Sequence, residues 1–301
     1  MRLSGSITAL ATPFTVAGEI DLDAWRRLLQ QQLEAGTGAL VVAGSTGEAS
    51  ALFASEYDLL LRTAVEVVAG RVPVVAGTGQ PSTARTIEQT RRAGDLGADA
   101  ALVVTPPYVR PTQAGLAAHY RAVADDGALP LVLYNVPPRT GCDMLPDTVA
   151  ALAEHAQVIA VKEARSEPER MQALVALRTD DFGVLSGDDP TAARAMLSGA
   201  DGVVSVASNV APHAFRLLCK LARDGNRERA DALDATLRPL YAFCGIEPNP
   251  IPVKALLARQ DIGHGLRLPL TTLSPEHDPE AGRIAALVEE IEQSCRATLA
   301  A

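Results

Sequence analysis

The hydrophobic positions of this chain fall into short continuous runs separated by amphipathic stretches. The runs are Ile7–Leu10, Ala39–Ala43, Val72–Ala76, Ala100–Val104, Leu131–Tyr134, Val158–Val161, Gly183–Leu185 and Gly202–Val206. They are unbroken rather than alternating, which predicts parallel strands covered on both faces. The stretches between them repeat apolar residues at helical spacing. Leu28 and Leu29 do so within Asp23–Ala35, and Leu59, Leu60, Val65 and Val68 within Ser55–Ala69. Thr83–Leu96 follows the same plan, and Gly36, Gly70 and Gly97 close the three units. A glycine there supplies the left-handed residue that ends a helix. Eight β-α units in roughly 220 residues predict an α/β fold, a (β/α)8 barrel. The rival is a doubly wound sheet. It would carry a GxGxxG turn after the first strand, and the sequence has none there.

Beyond Ala211 the strand pattern stops. Helices are predicted over Pro212–Arg223, Arg227–Tyr241, Val253–Arg259 and Pro279–Ala297. The first reads as the last barrel helix and the others as a C-terminal helical appendage. No Gly/Ser-rich linker sets them apart. The expected division is a barrel over residues 1–224 and a helical region over 225–301 packed on it. The turn-rich segment Gly263–His277 is expected to be exposed.

Composition narrows the function. The chain has 301 residues and 48% hydrophobic content, enough for a large core. A net charge of −9 argues against nucleic acid or an anionic membrane as partner. The first 14 residues lack the apolar run and basic start of a signal peptide. No segment approaches the length of a membrane span. Cys142, Cys219, Cys244 and Cys295 are scattered and form no CxxC pair, which suits idle thiols in a reducing cytoplasm. Cys142 has no histidine in its motif and is disfavoured as a nucleophile. The five histidines show neither HxH nor HExxH spacing. They are expected on helix surfaces or loops, with no bound metal.

In such a barrel the reacting groups sit at the C-terminal ends of strands. Two of those ends carry chemistry that belongs together. Tyr134 follows Leu131–Leu133, and Lys162 follows Val158–Val161. A lysine in apolar surroundings loses charge stabilisation and becomes a nucleophilic amine. The plain alternative is an ion pair with Glu163 at the barrel rim. A phenol beside the amine can shuttle protons between carbinolamine, imine and enamine. Gly44-Ser45-Thr46-Gly47 offers hydroxyls and backbone N–H groups to a small carboxylate, unless it is an ordinary helix cap. Arg139, on a Pro137-Pro138 turn, can clamp a second carboxylate or form a surface ion pair. Imine chemistry on a lysine requires no cofactor.

These residues stand in a familiar order. The motifs are Gly44-Ser45-Thr46-Gly47-Glu48, Pro107-Tyr108-Val109-Arg110-Pro111, Tyr134-Asn135-Val136-Pro137, Lys162-Glu163-Ala164, Ser186-Gly187-Asp188-Asp189 and Glu247–Lys254. Through them the chain resembles the dihydrodipicolinate synthase / N-acetylneuraminate lyase family of Schiff-base aldolases, from Ile7 to about Leu257. The resemblance implies that Lys162 forms an imine with pyruvate and that Tyr134 is the central proton shuttle. It implies that Ser45 and Tyr108 relay protons to solvent, with Tyr108 reaching into a neighbouring subunit. Ser45 and Thr46 would hold the pyruvate carboxylate, Arg139 the carboxylate of the second substrate. Gly187 and Val204 would set backbone carbonyls near the imine.

Arg139 favours the synthase branch, in which pyruvate condenses with L-aspartate-4-semialdehyde to 4-hydroxy-tetrahydrodipicolinate on the route to diaminopimelate and lysine. Ser45-Thr46 departs from the two threonines usual there and is shared with the sialate lyases. The resemblance therefore leaves N-acetylneuraminate or a 2-keto-3-deoxy sugar acid as alternative substrates. A non-catalytic keto-acid-binding homologue is the alternative of another class. A homodimer or homotetramer in the cytoplasm is implied. Arg85, Pro81 and Pro107 occupy positions where lysine-inhibited members carry a glutamate, an asparagine and a tyrosine, so insensitivity to lysine is expected.

Overall fold

The computed structural model describes residues 1–126 and 129–301. Eight parallel strands close on themselves, with β1 hydrogen-bonded to both β2 and β8. They are β1 Gly5–Ala9, β2 Ala39–Val42, β3 Val74–Gly77, β4 Ala100–Val104, β5 Leu131–Asn135, β6 Val158–Glu163, β7 Gly183–Ser186 and β8 Gly202–Ser205. The helices between them are α1 Leu22–Ala35, α2 Ala54–Val68, α3 Thr83–Asp95, α4 Gln113–Asp126, α5 Pro137–Thr140, α6 Pro146–Ala153, α7 Pro168–Val175 and α8 Asp189–Leu197. Then come α9 Pro212–Arg223, α10 Arg227–Cys244, α11 Ile251–Ala258 and α12 Asp278–Ala300. This is the (β/α)8 barrel with C-terminal helices that the pattern of apolar runs predicts.

The runs are unbroken because every strand is buried on both faces. Ile7, Val41, Val75, Leu102, Val132, Ala160, Leu185 and Val204 fill the barrel interior. Their neighbours Leu40, Val74, Val103, Leu131, Leu133, Val161, Val184 and Val203 pack outward against the helices. Leu237, Leu240 and Phe243 of α10 and Ile284 and Val288 of α12 join that same outer cluster. The helix starts and stops follow local chemistry. Asp21 caps α1 by accepting from the Ala24 N–H at 2.9 Å, and Gly36 ends it at φ 77°.

Three features depart from the sequence reading. Strands β5, β6 and β7 run on to the buried polar residues Asn135, Glu163 and Ser186, because backbone pairing does not stop where apolar side chains do. His119 and His213 are buried rather than on surfaces or loops; His213 Nδ1 lies 2.8 Å from Glu292 and His119 Nδ1 2.9 Å from Thr83. The segment Gly263–His277 is only partly exposed. Arg267 ties it down with two 2.6 Å bonds to Glu56, while its guanidinium lies over the Phe14 ring. Among the described residues no helix is long and apolar enough to cross a membrane.

Candidate active site

The site grows from one seam of the barrel. The register of β5 and β6 sets Tyr134 opposite Lys162 and Asn135 opposite Glu163. Side chains alternate along a strand, so the two pairs leave the sheet on opposite faces. Tyr134 and Lys162 enter the barrel mouth. Lys162 is 4% exposed, and its Nζ lies 4.2 Å from the centre of the Tyr134 ring. Glu163 is therefore not the partner of Lys162. Its carboxylate faces the helix layer and accepts from Asn135 Nδ2 at 3.0 and 3.1 Å and from the Arg165 N–H at 2.9 Å. Burial pushes this carboxyl up to about 7.

Gly187 follows β7 and touches the same lysine. A Cβ there would sit 2.9 Å from Lys162 Cε and 3.0 Å from Cγ, so the close approach requires glycine. Val204, on β8, lies in the inner apolar cluster with Tyr134 and Leu185.

The turn after β2 carries Ser45, half-buried, and Thr46, buried. Its two shoulders are strained for L-residues, with Ala43 at φ 53° and Glu48 at φ 52°. What holds it comes from the far end of the chain. Lys254 donates to the Glu48 carboxylate, and the Arg267 N–H donates to its other oxygen at 3.2 Å. Burial lowers the Lys254 pKa to about 8, and its Nζ lies 4.3 Å from the Phe14 ring centre. Asn249 Nδ2 donates to Thr46 Oγ1 at 3.1 Å, and Arg139 Nη2 donates to the Asn249 carbonyl at 3.1 Å. Asn249 thus links the hydroxyl turn to the arginine.

Ser45, Glu48, Tyr134, Arg139, Pro248 and Asn249 help to line a cleft of about 740 Å³. Lys162 is not among the lining residues; its Nζ packs on the ring of Tyr134, which is. Of the residues named from sequence, Tyr108 alone stands apart. It is 92% exposed at φ 74°, and Arg110 two residues on is also left-handed at φ 49°. Sequence reasoning missed the supporting residues Asn135, Asp143, Asn249, Lys254 and Arg267. The Tyr134–Pro137 motif contains Asn135 and the Glu247–Lys254 block contains Asn249 and Lys254, but neither gave the contacts.

A closed barrel with a buried amine against a phenol at its mouth, in reach of hydroxyls and an arginine around one cleft, is a layout suited to carbonyl chemistry at an amine. Comparison with known proteins narrows that reading. The family model for the dihydrodipicolinate synthetase family matches residues 2–287, and the chain belongs to that family. A 4-hydroxy-tetrahydrodipicolinate synthase of Xanthomonas axonopodis pv. citri (strain 306) is 68% identical over 286 residues, covering 95% of each chain. A chloride-inhibited dihydrodipicolinate synthase of Acinetobacter baumannii, complexed with pyruvate, superposes with a TM-score of 0.93 at 40% identity, over 95% of this chain and 99% of that one. A monomeric dihydrodipicolinate synthase variant superposes with a TM-score of 0.90 at 38% identity, over 97% of each chain.

Proposed function

We propose that this protein is a Schiff-base lyase that condenses pyruvate with L-aspartate-4-semialdehyde to give 4-hydroxy-tetrahydrodipicolinate, for diaminopimelate and lysine biosynthesis. The observation that carries this reading is the Lys162 amine, buried at the barrel mouth against the Tyr134 ring. The 68% identity to a synthase of that name supports it.

In this reading the Lys162 amine adds to C2 of pyruvate, and loss of water gives the imine. Tyr134 carries the protons for addition and dehydration. Ser45 and Thr46 receive the pyruvate carboxylate, and Ser45 passes protons outward from Tyr134. Loss of a C3 proton gives an enamine, whose carbon attacks the aldehyde of the second substrate. Arg139 holds that substrate by its carboxylate in a charge-assisted pair. The amino group of the second substrate then displaces Lys162 from C2, closing the ring and freeing the lysine. Backbone carbonyls at Gly187 and Val204 flank the imine. No cofactor enters these steps.

The exposure of Tyr108 supports a role across a subunit contact, in a homodimer or homotetramer. A relative at 38% identity is a monomeric variant, so the assembly is a separate question from the fold. In the same reading residues 225–301 are a helical region on a barrel of residues 1–224, and the enzyme works in the cytoplasm with neither nucleic acid nor membrane as partner.

The test is a coupled assay with pyruvate, L-aspartate-4-semialdehyde, dihydrodipicolinate reductase and NADPH. Pyruvate-dependent loss of NADPH is the expected result. A chain that takes a pyruvate label on Lys162 but consumes no NADPH would be a sugar-acid aldolase instead.

A further inference from the structure

Behind the reactive pair lies a second pair that the chemistry above does not use. Asn135 follows Tyr134 and Glu163 follows Lys162, and the two are register partners one rung along the same seam. Both are 0% exposed. They occupy the layer that Leu133, Val161 and Val184 otherwise fill with apolar groups. Burying a carboxylate and an amide there costs desolvation that an apolar pair would avoid. What a polar pair adds is direction. Asn135 Nδ2 bridges the Glu163 carboxylate and, at 2.8 Å, Asp143 Oδ1. Asn135 Oδ1 accepts from the Met144 N–H at 2.9 Å. Asp143 is in turn held by Arg165 and Arg170. The Glu163 carbonyl accepts from the Gly187 N–H at 2.6 Å, and Gly187 packs so near Lys162 that a Cβ there would lie 2.9 Å from Lys162 Cε. Glu163 therefore fixes β6 to β5 by its side chain and to the Lys162 wall by its main chain.

We propose that Asn135 and Glu163 are positioning residues that hold Tyr134 and Lys162 at their working separation from behind the barrel wall. The proposal rests on the reading of Lys162 as the imine-forming amine. Neither residue touches substrate. The carboxylate-binding turn at Ser45 and Thr46 follows β2 and is held by Asn249 rather than by Asn135 or Glu163, so the pair governs the rate of imine formation and leaves the binding of pyruvate alone.

The experiment measures the rate at which pyruvate becomes trapped on Lys162 by borohydride, in wild type, Glu163→Gln, Asn135→Ser and the double variant. Leu237→Ala, a distant core change, serves as a control for loss of stability. The trapping rate is expected to fall about 10- to 100-fold in each single variant, with KM for pyruvate within about threefold of wild type. The double variant is expected to be no slower than the slower single one, because the two act as a unit. Variants that label as fast as wild type, or that slow only as much as Leu237→Ala at equal loss of Tm, overturn this inference alone. A wild type that takes no label overturns both this inference and the reading of Lys162. Should Glu163→Gln fail to fold, Asn135→Ser decides, since it keeps a small polar group at the end of β5.

Discussion

Lys162 and Tyr134 sit on one rung of the barrel, with the lysine Nζ 4.2 Å from the centre of the tyrosine ring. The ring covers the amine of this lysine, a residue 4% exposed, and in the imine reading the phenol is the proton carrier. Tyr134→Phe keeps the shield and removes the proton carrier. Its kcat is expected to fall by about 10²- to 10⁴-fold, with a far smaller change in the KM for pyruvate. Steady-state kinetics check this. An unchanged kcat would remove Tyr134 from the chemistry.

Gly187→Ala tests the wall on the other side of the lysine. The added Cβ would lie 2.9 Å from Lys162 Cε, closer than packed carbons tolerate. The lysine must swing away or the strand ends must part, at a cost of about 1–3 kcal/mol. Thermal unfolding should show that loss, and pyruvate should label Lys162 poorly. A variant with wild-type labelling and Tm would show that the wall is softer than the contact implies.

Arg139→Ala separates the two substrates. Losing a charge-assisted pair is worth about 1.5–3 kcal/mol, so kcat/KM for the semialdehyde should drop about 10- to 100-fold. Labelling of Lys162 by pyruvate should be unaffected. Arg139→Lys should recover only part of the loss, because an ammonium lacks the planar fork. A full wild-type rate in Arg139→Ala would favour a substrate without that carboxylate.

His119 makes the fold sensitive to acid. Burial lowers its pKa from 6.5 to about 4. Its Nδ1 meets Thr83, while its Nε2 is buried with no hydrogen-bond partner among the described residues. Between these two pH values the unfolded chain binds a proton that the folded chain refuses. Stability present above pH 6.5 is therefore lost as the pH falls toward 4, by an amount of about 3 kcal/mol. His119→Leu should flatten the fall of Tm across that window. Equal slopes in the two proteins would contradict the assignment.

Lysine should not inhibit. Arg85 is exposed on α3, and Pro81 and Pro107 line the outer part of the cleft. A guanidinium at that position repels an ammonium rather than accepting from it. Initial rates at millimolar lysine are expected to match those without it. Strong inhibition at sub-millimolar lysine, with the ligand beside Arg85, would sink this expectation.

Much of the barrel was legible because its physics is local. Runs such as Leu131–Leu133 and Val158–Val161 report two-sided burial, and Gly36 reports a helix end. Strand ends are where reactive residues gather, so Tyr134 and Lys162 stood out together by position, while the role of Ser45 came through the resemblance. What stayed hidden depends on partners far along the chain. Glu48 and Lys254 are 206 positions apart, and neither sequence neighbourhood points to the other. The alternative of a Lys162–Glu163 ion pair could be discarded only once the strand was placed. The place of Glu163 beside Lys162 suggested that pair, but adjacent strand residues point to opposite faces. Arg267 and His119 look like surface residues by type, and only the packed fold shows Phe14 and Glu56 beneath one and Thr83 beside the other.

The most direct test of the imine reading is to reduce a mixture of protein and pyruvate with borohydride and map the modified peptide by mass spectrometry. A single carboxyethyl group on the Lys162 side-chain nitrogen is the predicted result, with Lys220 and Lys254 untouched. Label on another lysine, or none at all under conditions where the protein turns over, would contradict the account.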